Sequence, residues 1–323
     1  MRTELREAWV ALQKAETMLV QTGGKLRPPE APALFEGVEL ERTLRPLLVR
    51  LGCGFDPQHL RAKDYLTRYP FSSLEAIEED LRRLDCAGML DGLPDGGFVL
   101  TDEGRRTVKN YAIRVGTLID GLALGPAVED EQMIRLLDYD RRIVDALRES
   151  MGTKPSPIFE HRLRGLYPKY DPPRRWHHWP LVWSMIAAHE DVEEQVRLTR
   201  RIDPLAWFAR HELWFSTRRP HRARMRTCAD LQAVTVRYAP LEDPDRACEK
   251  AIGWLREQGW IEGSGDACGL SAEGLAQADR DEAEIDGIFL SRWPAFTEAE
   301  IEEMRGIAET INRRCGELLA GAT

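Results

Sequence analysis

Leu81-Arg82-Arg83-Leu84-Asp85-Cys86-Ala87-Gly88-Met89-Leu90, then Leu100-Thr101-Asp102-Glu103-Gly104, decides the reading of this chain because it is said twice. The echo is Trp254-Leu255-Arg256-Glu257-Gln258-Gly259-Trp260-Ile261, then Leu270-Ser271-Ala272-Glu273-Gly274. Leu84 to Gly88 spans four steps, and so does Leu255 to Gly259. Gly88 to Thr101 spans thirteen steps and Gly259 to Ser271 twelve. Matched order and near-matched spacing point to one supersecondary unit used twice.

Working outward, each copy reads as helix, turn, helix, two-stranded ribbon, helix, which is the winged-helix plan. In the first, Ser72 opens a helix with Glu75 three residues on as a capping box. Leu74, Ile77, Leu81 and Leu84 form one apolar stripe, and Gly88 supplies the C-terminal turn. Met89-Leu90 and Phe98-Val99-Leu100 flank a turn rich in Asp and Gly, and a helix follows from Thr101 to about Leu122. In the second, Asp243-Pro244 is a cap and first-turn pair for a helix ending near Gln258. Ser271 caps the next helix, and Thr297 starts the last one after Pro294.

Further helices are expected at Glu4–Val20, ended by Gly23-Gly24, at Glu131–Met151 and at Leu181–Arg201. Four regions follow. Residues 1–35 are an N-terminal helix and extended linker, and 36–125 the first winged unit. Residues 126–203 are a helical connecting segment, and 204–323 the second unit with a C-terminal helix.

The two quoted stretches resemble the recognition-helix end and wing of MarR-type winged-helix regulators. The tail from Phe296 to Met304 is similar to the start of that family's closing dimerisation helix. The resemblance implies a mainly α fold with short β-hairpin wings, in which tandem winged-helix units form a covalent pseudo-dimer around the intervening helical segment. It implies a DNA-binding transcriptional regulator, with Ser72–Leu84 and Asp243–Leu255 entering successive major grooves of double-stranded DNA. It also implies a small aromatic or apolar ligand between the dimer helices and a winged unit.

The residues depart from a DNA reader in both units, less in the second than in the first. In the second, Asp245 and Glu249 mix with Arg246 and Lys250, and the wing offers Glu262 and Asp266. In the first, Glu75, Glu78, Glu79 and Asp80 line the helix, and no Lys or Arg lies between Met89 and Leu100. Carboxylates are repelled by the phosphate field. The alternative is an acidic tandem winged-helix subunit that meets a partner protein at these units, or a small-molecule binder that does not touch DNA.

Charge is unevenly spread under a net of −9. Between Arg141 and Cys228 there are 18 Arg and Lys against 10 Asp and Glu, leaving 27 against 44 elsewhere. The expected DNA contacts are therefore Arg218, Arg219, Arg222, Arg224 and Arg226, with Arg246, Lys250, Ser72 and Ser73 on the reading helices. Trp176, His178, Trp179, Trp183, Trp207 and Trp214 are the expected ligand-binding set.

His189-Glu190 and His211-Glu212 do not make HExxH, and no metal site is assigned. No P-loop, GxGxxG or GxSxG occurs, so the reading is not an enzyme and needs no cofactor. The chain has no run of about 18 apolar residues to span a membrane. Its six scattered cysteines and polar N-terminus fit the cytoplasm.

Overall fold

The computed structural model describes residues 2–54, 59–68, 72–125, 128, 130–150, 175–218, 227–238, 243–263 and 267–322. It is mainly helical, with two small antiparallel two-stranded sheets. In chain order the elements are α1 (Arg2–Lys25), α2 (Arg45–Gly54), α3 (Ala62–Arg68), α4 (Leu74–Cys86), β1 (Leu90–Gly92) and β2 (Phe98–Leu100). Then come α5 (Asp102–Asp120), α6 (Asp130–Ser150), a 3-10 turn at Arg175–His177, α7 (His178–Arg200), α8 (Pro204–Arg218) and α9 (Cys228–Tyr238). The last are α10 (Pro244–Glu257), β3 (Ile261–Glu262), β4 (Gly269–Leu270), α11 (Ala272–Leu290) and α12 (Glu298–Gly321).

Among the described residues the same order of elements occurs twice, from α1 to α6 and from α7 to α12, each half with one hairpin. Each hairpin also takes a single bridge from the stretch before its second short helix. Leu60 bridges Phe98 in one half, and Thr227 bridges Ala267 in the other. Contacts between helices exchange with the halves. α1 packs along α12, and its counterpart α7 packs along α6; α1 meets α5 as α7 meets α11. The self-related pairs α1–α7 and α6–α12 are also in contact. Within 126–203, α6 and α7 pack against each other, α6 also against α12 and α7 against α1.

The repeated sequence is a repeated clamp. Gly88 and Gly259 both take φ of 71°, which lets the chain leave the helix through a left-handed residue. The next amide, of Met89 or Trp260, returns to the helix at Leu84 or Leu255. Thr101 Oγ1 donates to Gly88 O at 2.7 Å and accepts from Gly104 N at 3.0 Å. Ser271 Oγ donates to Gly259 O at 2.6 Å and accepts from Gly274 N at 3.0 Å.

Two apolar cores result. The smaller joins α2–α5 and the first hairpin, from Leu40 to Val108. The larger runs from α1 through α6, α7 and α12 into the second half. Two expectations shift. The α1 helix does not stop at Gly23-Gly24, because Gly23 lies close against Leu118 of α5 and packing carries the helix to Lys25. Leu74 leaves the buried stripe of α4 and is 37% exposed, while Ile77, Leu81 and Leu84 are buried.

Candidate functional site

The two hairpin-bearing halves present different faces. On α4, Ser73 Oγ accepts from Ala76 N at 3.3 Å and donates to Glu75, so it is occupied in capping. Ser72 Oγ is buried without a hydrogen-bond partner. Glu75, Glu78 and Glu79 are exposed. Arg82 is paired with Glu79, and Arg83 with Asp80 and Glu41. In the hairpin Asp91 is exposed and Asp95 holds Arg61 at 2.7 Å. The first face is therefore carboxylate-rich, with its arginines already engaged.

On α10, Arg246 and Lys250 are exposed, one turn apart, and neither has an ion-pair partner among the described residues. Arg218 is exposed and ion-paired: its Nε donates to Asp279 at 3.0 Å. Arg219, Arg222, Arg224 and Arg226 lie outside the described residues.

The tryptophans do not converge on one pocket. Trp176 and Trp179 are buried in the core, and Gly116 packs against the Trp176 ring. Trp183 donates to Glu16 at 2.9 Å, Trp207 to Glu193 at 2.6 Å and Trp214 to Asp279 at 2.8 Å. His178 is fully buried, with Nδ1 2.6 Å from Asp140 and Nε2 3.3 Å from Leu12 O. Burial opposes an imidazolium there, but the Asp140 carboxylate outweighs it and raises His178 above the usual range. Asp140 Oδ1 stays buried without a hydrogen-bond partner among the described residues.

Of the six, Trp214 lines a surface cavity of about 930 Å³ between α1, α8, α11 and α12. The wall of that cavity is of mixed charge, with Arg6, Lys14, Arg218 and Arg313 set among Glu7, Asp279 and Glu309.

Behind this cavity α7, α8 and α11 bury a chain of acids and histidines. Ligand atoms of His189, Glu282 and Asp286 all lie within 4.8 Å of one another, and all three residues are buried. Asp286 Oδ1 is 3.4 Å from His189 Nε2, and its Oδ2 is held by Arg6 at 2.6 Å. His211 reaches both Glu193, at 3.1 Å, and Glu282, at 2.8 Å. Burial disfavours its charge, yet the two carboxylates outweigh this and push His211 up to about 10. In return, burial raises Glu193 but the His211 charge wins and takes it down to about 2. Beside them Asp281 binds the buried Arg210 at 2.6 Å, whose guanidinium also sits over the Trp207 ring.

This cluster escaped the sequence because its members come from three helices. Glu282 and Asp286 are four apart on one face of α11. That spacing was a usable signal, but it is shared with any solvated acidic helix. No protein-family model matches the chain, and neither a curated protein nor a solved structure matches it.

Proposed function

We propose that the chain is a tandem winged-helix regulator of MarR-like plan, a covalent pseudo-dimer that binds double-stranded DNA through its second unit. The exchange of helix contacts between the halves carries this reading, because it is what a two-fold relation between fused subunits requires. In this reading α4 and α10 are the reading helices, the two hairpins are wings, and Leu60 and Thr227 complete them as third strands. The exposed Arg246 and Lys250 favour α10 as the helix that meets phosphates. The cavity beside Trp214 is where a small ligand would alter the spacing of the units.

The test is fluorescence anisotropy of a labelled duplex at low and at physiological salt. Binding should weaken steeply with salt, and the double variant R246E/K250E should flatten the log–log slope by about 1.8, or ~0.9 per phosphate. Absence of binding even at low salt would overturn the proposal. A second reading is favoured by the exposed Glu75, Glu78 and Glu79 on α4, which suit a basic partner protein rather than a groove.

No helix among the described residues is long and apolar enough to cross a membrane.

A further inference from the structure

We propose that His189, Glu282 and Asp286 form a binding site for one divalent transition-metal cation of the zinc type, held between α7 and α11. Zinc accepts imidazole nitrogen and carboxylate oxygen at about 2.0–2.2 Å, usually in a tetrahedron. Two ligands on such a tetrahedron stand about 3.3–3.6 Å apart by that geometry. His189 Nε2 and Asp286 Oδ1 are separated by 3.4 Å, long for a hydrogen bond and right for two corners around an ion.

The supporting arrangement is that of a metal centre. Arg6 Nε fixes Asp286 Oδ2 at 2.6 Å, which turns Oδ1 toward the imidazole. Glu282, one turn earlier on α11, brings the second carboxylate to the same face. The His189 ring is held by Phe289 at 5.2 Å and Trp9 at 6.0 Å between centroids, an apolar wall that strengthens charge interactions inside.

His211 stands outside the ligand set: it ion-pairs Glu282 Oε1 at 2.8 Å and so holds that carboxylate in place, as an outer partner does. The chemistry of this set selects the ion class: imidazole with few carboxylates suits zinc and its first-row neighbours, whereas magnesium and calcium require mostly oxygen ligands. Arg6 also lines the surface cavity, so the route from solvent passes that guanidinium.

The site stands apart from the DNA reading and is tested with the metal alone. The full chain, stripped with a chelator and shown by circular dichroism to be folded, is titrated with Zn²⁺ by calorimetry and with Co²⁺ by visible absorption. One ion per chain is expected. His189→Ala and Asp286→Asn should each weaken Zn²⁺ at least 100-fold, and Arg6→Gln about 10- to 100-fold, as an outer partner does. Failure of the folded, stripped chain to bind Zn²⁺, or unchanged binding in folded H189A, would overturn the site. Should H189A unfold, the Co²⁺ spectrum of the unaltered chain decides. Ligand-field bands of nitrogen and oxygen donors support the site; sulfur-to-cobalt charge-transfer bands would move the ion to cysteine and sink it.

Discussion

The fully buried pair His178–Asp140 shows how one residue changes meaning between sequence and fold. Removing one member of a buried pair leaves the other without a partner and costs about 3–5 kcal/mol. Asp140→Asn should therefore lower the urea midpoint strongly, and His178→Ala should do the same without additive loss in the double variant. An unchanged midpoint in D140N would show that the pair is dispensable. His178 reads in the sequence as a pocket residue because it sits among tryptophans; its partner is 38 residues away and invisible to local pattern. The metal ligands are hidden for the same reason. Glu282 and Asp286 follow the acidic stretch Asp279-Arg280-Asp281, which by composition is a solvated face, and only the packing of α7 against α11 buries it. Tyr139 offers a pH test at this scale. Burial and its 2.6 Å bond to Glu303 push the phenol up to about 12. The fold favours its neutral form, so this contribution is full below the ordinary value of 10 and fades as pH rises toward about 12. Ultraviolet titration should find one tyrosine ionising last, and Glu303→Gln should bring it down.

At the scale of elements, the helix starts were the most legible part of the chain because capping chemistry is local. Thr101, Asp243, Ser271 and Thr297 cap the helices that follow them, as read, whereas the cap of α4 falls one residue later than read, on Ser73, which accepts from Ala76 N, and not on Ser72. Less legible was where a helix goes on past glycine, as α1 does, since that depends on a neighbour. The glycines of the clamp give a sharp prediction. A Cβ on Gly104 would stand 2.2 Å from Met89 O, and one on Gly274 would stand 2.1 Å from Trp260 O. Both obstacles are backbone and cannot swing away. Gly104→Ala and Gly274→Ala should each cost about 1–3 kcal/mol, typical of overpacking, in thermal or urea unfolding. Equal losses in the two halves are expected from equal geometry; a silent variant would break the equivalence. The capping box of α12 adds an acid-side prediction. Glu300 accepts from Thr297 N at 2.7 Å and pairs with Arg142 at 2.7 Å, and these bonds take it down to about 2 from an ordinary 4.5. Its folded value is depressed, so the stability it gives is present above 4.5 and is lost as pH falls toward about 2. Glu300→Gln should flatten the melting-temperature slope across that window.

For the whole molecule the sequence showed the two hairpin units and missed what joins them. α6 and α7 carry no turn motif or reading helix, so their pattern marks them only as helices between two recognisable units. Their role is set by contacts across the molecule, α7 along α6 and α1 along α12, which local periodicity does not encode. This placement has a consequence for assembly. Were the two halves of the proposed pseudo-dimer separate chains, each would offer its first and last helices to the other. Here α1, α6, α7 and α12 cover one another within one chain: Trp9, Leu12, Leu137, Val182, Met304 and Ile311 are all buried in a common core. A face already covered has little apolar area left to drive pairing. The intact protein should therefore elute as a monomer of 36.9 kDa in size-exclusion chromatography with light scattering. Opening the α1–α12 seam should undo this. Trp9→Glu would bury a carboxylate where α1 packs on Phe289 of α11 and on Trp293, and would lift α1 out of its place beside α12, exposing apolar helix faces that seek a second copy. Concentration-dependent association of that variant, against a monomeric parent, is the expected outcome. A parent that is already a dimer of twice that mass would mean that the fused halves do not satisfy each other, and the pseudo-dimer would fall.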